Sequence, residues 1–251
     1  MNPTAIKIYG ERNTGTNYLY RLIEQNLDVA LLPGVAPRYL RRLFPSHPTL
    51  HERLIDSYFR WTFKRNLGWK HMLVPQLQSL QEADVAIDRV LFLFLVKNPY
   101  AWLLSLYRRP YHNHRPAPTF EAFLREQWPT VGRERAGRPY FPNPIVLWNE
   151  KTAAYVRLAQ QVHGSIIRYE DLIADPQVVL QNIARKGVSW KSKDFKNIAE
   201  SVKGDEGKDF HFYQTYYLEE QWRKDLSQEA IRFINVYLDE AILQKLGYHV
   251  F

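Results

Sequence analysis

Apolar and polar positions alternate along this chain between short continuous runs and helical stripes. Thr4 to Tyr9 is a short β-prone run, and it meets a turn built on Gly10 and Gly15. From Thr16 to Leu27 the apolar positions Tyr18, Leu19, Leu22 and Ile23 share one face, which predicts a helix over 16–27. A short extended piece is expected near 28–32. Residues 36–65 read as mostly helical and end in the basic, aromatic stretch Arg60-Trp61-Thr62-Phe63-Lys64-Arg65. Leu67 to Leu73 reads as another extended segment. Arg89 to Val96 is a continuous apolar run bounded by charge, the pattern of a central strand buried on both faces of a parallel sheet.

Beyond Pro99, the positions Trp102, Leu103, Leu106 and Tyr107 predict a helix with proline in its first turn. Thr119 is an N-cap candidate for a helix opening at Phe120. Residues 129–144 hold four prolines, two glycines and three arginines and read as an exposed loop. A helix over 145–162 and a strand over 165–169 follow. Asp175-Pro176 caps a further helix. Leu226-Ser227-Gln228-Glu229 caps one or two helices over 230–246.

Strands alternating with helices predict an α/β fold: a central, mostly parallel sheet flanked by helices, with a helical C-terminal third. No repeat or linker divides the sequence, so residues 1–251 are expected to form a single domain. In such a sheet, ligands bind outside the carboxyl ends of the strands.

Composition narrows the chemistry. The net charge of +8 points to an anionic partner, and the basic residues are dispersed as pairs such as Arg41/Arg42, Lys64/Arg65 and Arg108/Arg109. That dispersal favours a folded pocket over a basic arm, so nucleic acid is not the expected partner. Cysteine is absent, which excludes disulfides and thiolate metal sites. No leader precedes the strand predicted near Thr4, and Val90–Val96 is too short to span a bilayer, so a cytoplasmic protein without a transmembrane segment is expected.

Three constellations carry candidate chemistry. Gly10-Glu11-Arg12-Asn13-Thr14-Gly15-Thr16-Asn17 has the spacing of a phosphate loop between a strand and a helix, but Thr16 stands where a nucleotide triphosphatase would carry lysine. Read by itself it is equally a tight turn. Lys97 follows the central strand and Ser105 lies eight residues on, a cation and a hydroxyl able to grip one phosphate, or else a surface lysine and a helix serine. Tyr169-Glu170-Asp171-Leu172 follows the third long strand.

In this order the three resemble the sulfotransferase superfamily, which moves a sulfuryl group from 3′-phosphoadenosine 5′-phosphosulfate (PAPS). The loop is similar to that family's Gly-x-Arg-Lys-x-Gly-Thr, and Tyr169 to Leu172 to its Tyr-Glu-Asp-Leu. Trp222-Arg223-Lys224-Asp225-Leu226-Ser227 and Leu246-Gly247-Tyr248 also resemble bacterial members. The resemblance implies that Arg12, Asn13, Thr14, Gly15, Thr16 and Asn17 hold the 5′-phosphosulfate. It implies too that Lys97 and Ser105 hold the 3′-phosphate, that Tyr169 lies by the adenine, and that no metal is required. Two positions depart from the family pattern: Asn13 stands where the loop lysine falls, and Lys97 stands for arginine. Arg12 or Lys70 would replace the missing loop cation. The family's Arg-Lys-Gly-x-x-Gly loop has at best a distant substitute in Lys203-Gly204 through Gly207-Lys208.

Transfer to a hydroxyl or amine needs a base, and histidine suits it near neutral pH. His71, in Gly68-Trp69-Lys70-His71, resembles the family's Lys-Thr-His segment, whereas His112 and His114 read as acceptor-side or exposed residues. The acceptor is expected to be a carbohydrate or small molecule. Two other readings stay open. A P-loop kinase would need a Walker lysine and a carboxylate after the apolar strand, where Thr16 and Lys97-Asn98 stand. A degenerate sulfotransferase-like protein would bind the nucleotide without turning it over.

Overall fold

The computed structural model describes residues 2–44, 46–113, 117–200 and 207–251. Its amino-terminal half runs β1 (Ala5–Gly10), α1 (Thr16–Asn26), β2 (Leu27–Asp28), β3 (Ala30–Leu31), α2 (Arg38–Arg41), α3 (Pro48–Asn66), α4 (Leu77–Gln81), β4 (Val90–Val96) and α5 (Pro99–Arg108). It continues through α6 (Phe120–Arg125), β5 (Trp128–Pro129), β6 (Tyr140–Phe141), α7 (Pro144–Ala159) and β7 (Gly164–Arg168). The carboxyl-terminal part holds α8 (Tyr169–Ala174), α9 (Pro176–Ala184), β8 (Ser189–Trp190), α10 (Phe210–Leu218), α11 (Gln228–Tyr237) and α12 (Glu240–Leu246).

Four parallel strands in the order β3-β1-β4-β7 form the central sheet, with Ala5 opposite Val90 and Phe92 opposite Gly164. β4 is apolar throughout because both of its faces are covered. Val90, Phe92, Phe94 and Val96 pack with Tyr9 into the larger core, against α5 and α7. Leu91, Leu93 and Leu95 pack with Ile6 and Ile8 into the smaller one, against α1 and α9. The chain leaves β1 toward β3 on one side and β4 on the other. The strand order therefore reverses between β1 and β4, and their carboxyl ends open the crevice where α/β sheets bind ligands.

Side-chain caps start the helices where the sequence places them. Asn98 accepts from the Tyr100 and Ala101 amides, Thr119 from Ala122, Asp175 from Val178 and Ser227 from Ala230. Residues 230–246 divide into α11 and α12, the second opening at its own cap, Asp239.

Three stretches differ from their sequence pattern. Residues 36–65 break into the short α2 and the long α3. Leu67 to Leu73 is no strand: Leu67 and Gly68 are left-handed (φ 59° and 85°), and the segment is instead stitched crosswise. The Lys70 amide donates to Gly34 O at 3.0 Å, and the Gly10 amide donates to Lys70 O at 2.9 Å. Residues 129–144 are only partly exposed, because the strand pair β5–β6 and a short turn of helix at Gly132–Glu134 sink Glu134 to full burial.

Lys7 sits on the larger-core face of β1, fully buried. Its ammonium donates to Pro33 O at 3.0 Å and to Asn66 O and Gly68 O, each at 2.5 Å. Burial, and then the nearby Lys70 charge, press its pKa well below the usual lysine value. The Asn66 and Gly68 carbonyls thus anchor the 66–68 turn, and the Pro33 carbonyl the segment after β3, to the strand that leads into the phosphate-type loop.

Candidate active site

The loop after β1 closes on itself before α1 begins. Thr14 Oγ1 donates to Glu11 O at 2.6 Å. Gly15, at φ 87°, is the residue before the helix, and a Cβ there would lie 2.7 Å from the Tyr169 ring, so both the backbone and the neighbour demand glycine. No side chain caps α1. Its first intrahelical bond runs from the Leu19 amide to Gly15 O at 3.0 Å, which leaves the first-turn amides of Thr16 and Asn17 ahead of the ladder. Such amides, with the helix dipole behind them, suit an anion.

Lys97 stands at the end of β4, almost fully buried. Its Nζ donates to Ser105 Oγ at 3.1 Å and to Asn13 O at 3.5 Å, and it lies 3.6 Å from the Tyr217 ring centre and 4.8 Å from that of Tyr169. Lys97 makes no ion pair among the described residues. Burial lowers its pKa to about 7, Glu170 opposing and Arg108 assisting. Asn13 spans from the loop to α5: its Nδ2 donates to Ser105 O at 3.0 Å, and its Oδ1 accepts from Tyr111 Oη at 2.8 Å. Beside this group a cleft of about 170 Å³ is lined by Asn13, Ser105, Arg108, Arg109 and the α10 residues Tyr213 and Tyr217.

Lys70 and His71 reach the same loop from the other side. Lys70 Nζ donates to Asn17 Oδ1 in the first turn of α1, and burial, with Arg41 adding to it, lowers its pKa to about 8. His71 Nδ1 lies 2.5 Å from Gly10 O. A carbonyl only accepts, so Nδ1 carries the proton and Nε2 presents its lone pair. Burial, then the Lys70 and Arg12 charges, hold the imidazole well below its usual pKa and hence neutral.

Arg12 is placed differently. Its guanidinium is buried, donating to Glu11 at 2.9 Å, to Glu134 at 3.1 Å and to His112 Nδ1 at 3.0 Å. Lys151 completes a buried quartet of two carboxylates and two cations, bonding Glu11, Glu134 (2.8 Å) and His71 O (2.7 Å). Burial alone would raise the Glu134 carboxyl; Lys151 and Arg12 outweigh it and hold it far below the carboxylate range. The quartet thus underpins both the loop and His71. Nothing in the sequence marked Glu11, Glu134 or Lys151, because ion pairs across 122 and 140 residues leave no local spacing.

His112 has both ring nitrogens engaged, Nδ1 by Arg12 and Nε2 by Pro129 O at 2.7 Å. His114 and the Lys203-Gly204 pair lie outside the described residues. Among the described residues no cluster of metal-ligating side chains occurs, and no helix is long and apolar enough to cross a membrane.

No family model and no characterised protein sequence matches this chain. Among solved structures it is similar to the sulfotransferase domain of the Synechococcus PCC 7002 olefin synthase, at 15% identity and a TM-score of 0.44, covering 94% of this chain and 95% of that one. It is also similar to the sulfotransferase domain from the curacin biosynthetic pathway, at 13% identity and a TM-score of 0.45, covering 100% and 99%.

Proposed function

We propose that this protein is a sulfotransferase that uses PAPS as sulfuryl donor. The observation that carries the reading is the Lys97–Ser105 pair, joined at 3.1 Å and touching the loop carbonyl of Asn13. A buried ammonium without a carboxylate ion pair among the described residues, beside a hydroxyl and at the switch point of a parallel sheet, fits a phosphate that the α1 amides do not hold. The donor set therefore suits a nucleotide with two separate phosphate groups: the loop amides of Thr14 to Asn17 for the 5′-phosphosulfate, and Lys97 and Ser105 for the 3′-phosphate. Tyr169, packed on Gly15 and Lys97, would border the base.

The cation missing at Asn13 is supplied in space by Lys70, whose ammonium meets the first turn of α1. Arg12 would act through Glu11 and Glu134 as a positioning residue. In transfer, the acceptor hydroxyl gives its proton to His71 Nε2 as its oxygen bonds to sulfur. The bridging S–O bond breaks, and its electron pair stays on the phosphate oxygen, where Lys70 and the helix amides offset the charge. The acceptor would be a carbohydrate or small molecule.

Calorimetry with 3′-phosphoadenosine 5′-phosphate tests the reading. Saturable binding that weakens on removal of the 3′-phosphate is expected, and the same preference should vanish in Lys97→Met. Equal affinity for adenosine 5′-phosphate would overturn it.

A further inference from the structure

A second cleft adjoins the segment that carries Lys70 and His71. Gly68, Trp69 and Met72 line it, and it holds about 80 Å³, room for a small oxyanion and not for another nucleotide. Phe59 and Phe63 of α3 form its apolar wall, and Arg60, Arg133 and Arg135 bring three guanidiniums to it against one carboxylate, Asp56.

That carboxylate is already spent. Asp56 accepts from Arg133 Nη1 at 2.8 Å and from the amides of Gly132 and Arg133 at 3.0 and 3.1 Å, while Glu52 takes the same Nη1 at 2.6 Å. Arg133 is therefore paired, although its Nε is buried without a partner among the described residues. Arg60 and Arg135 form no ion pair among the described residues. Arg135 holds a left-handed backbone (φ 53°) and sets its guanidinium 3.9 Å from the Phe63 ring centre. Non-glycine residues adopt that conformation at a cost, and here it sets beside the cleft a cation that has no ion pair among the described residues.

The cleft is coupled to the proposed base through one side chain. Trp69 lines it, carries the guanidiniums of Arg12 and Arg133 at 4.7 and 4.5 Å, and meets the His71 ring edge-on at 5.0 Å. We propose that Arg60 and Arg135, over Phe59, Phe63 and Trp69, form an anion subsite that holds a carboxylate, sulfate or sulfonate group of the acceptor, remote from its reacting hydroxyl. The acceptor role rests on the sulfotransferase reading; the anion site itself does not.

The test titrates benzenesulfonate into the full chain saturated with 3′-phosphoadenosine 5′-phosphate, so that the nucleotide site is occupied. Saturable one-to-one binding is expected, with neutral benzenesulfonamide weaker. The double variant Arg60→Gln/Arg135→Gln should weaken it by about tenfold or more, as loss of charge-assisted hydrogen bonds does. Nucleotide affinity should stay unchanged in that variant, and Arg42→Gln/Arg65→Gln should leave both ligands unaffected. Absence of saturable benzenesulfonate binding, or equal binding by the double variant, overturns the subsite. If the nucleotide fails to bind while benzenesulfonate binding persists and depends on Arg60 and Arg135, the sulfotransferase reading falls and the anion site stands.

Discussion

Lys97 and His71 are both pressed toward their neutral forms by burial, yet an incoming nucleotide should affect them differently. Lys97, with a pKa of about 7, is largely uncharged just above neutrality. A phosphate beside it favours the ammonium, so nucleotide binding at about pH 8 should draw a proton from solution. Calorimetry in buffers of differing ionisation enthalpy reads that uptake directly. Lys97→Arg, charged at every accessible pH, should bind with a smaller uptake, the part that Lys70 contributes from its pKa of about 8; an unchanged proton count in that variant would show that Lys97 is not a titrating group. His71 must be neutral to act as base, and its depressed pKa keeps it so to well below its ordinary value. Its acid limb in a pH–rate profile should therefore lie on the acid side of pH 6.5. His71→Ala should lower turnover by about 10²–10⁴-fold while leaving nucleotide affinity intact. A loss of affinity matching the loss of turnover would mark His71 as structural.

At the scale of elements, the site hangs on ties between segments distant in sequence. Glu134 arrives from the stretch 129–144 and meets Arg12 and Lys151 directly, at 3.1 and 2.8 Å. Removing one partner of a buried ionic cluster strands the others, so Glu134→Gln should destabilise the fold by about 3–5 kcal/mol. Chemical denaturation measures this, and a cost near that of a surface pair would mean that the quartet is hydrated in solution. Gly15→Ala should be comparably harmful through its φ of 87° and the Tyr169 ring, with nucleotide binding lost as well. These ties also explain which parts of the molecule could be read from the chain. β4 announces itself because a strand buried on both faces is apolar along its length, β1 and β7 show as shorter β-prone runs, and Thr119, Asp175 and Ser227 announce helices because a cap acts within three residues. Lys97 and Ser105 were legible through a strand end and a fixed helical offset. Glu134 was not, since a proline- and glycine-rich stretch signals only the absence of regular structure and says nothing of one carboxylate turned inward. The segment 67–73 misled for a related reason: its apolar residues face two different partners, α3 and the loop, and not two sides of a sheet.

For the whole molecule, the buried lysines set an unusual dependence of stability on pH. Lys7, Lys70 and Lys97 all have folded pKa values below the ordinary 10.5, chiefly through burial. Between those folded values and the unfolded one, the unfolded chain binds more protons than the folded chain, so stability must rise with pH across that window. Lys97 contributes to the rise from about pH 7 and Lys70 from about pH 8. It ends when tyrosines take over: Tyr9, Tyr155, Tyr169 and Tyr248 have folded pKa values raised by burial above the ordinary 10.0. Above that pH the unfolded chain ionises its tyrosines and the folded chain does not, and stability falls. The ligand-free protein should therefore be most stable at about pH 9–10, well above the range of about pH 5–8 common for globular proteins. A net charge of +8 works in the same direction, because titrating lysines relieves self-repulsion. The two causes separate on adding 3′-phosphoadenosine 5′-phosphate. Screening salt should soften only the contribution from net charge, whereas the bound nucleotide should hold Lys97 and Lys70 protonated and flatten the rise between about pH 7 and about pH 10. Urea denaturation across that range, with and without the nucleotide, measures both. If the ligand lifted stability equally at every pH, neither lysine would be touching a phosphate.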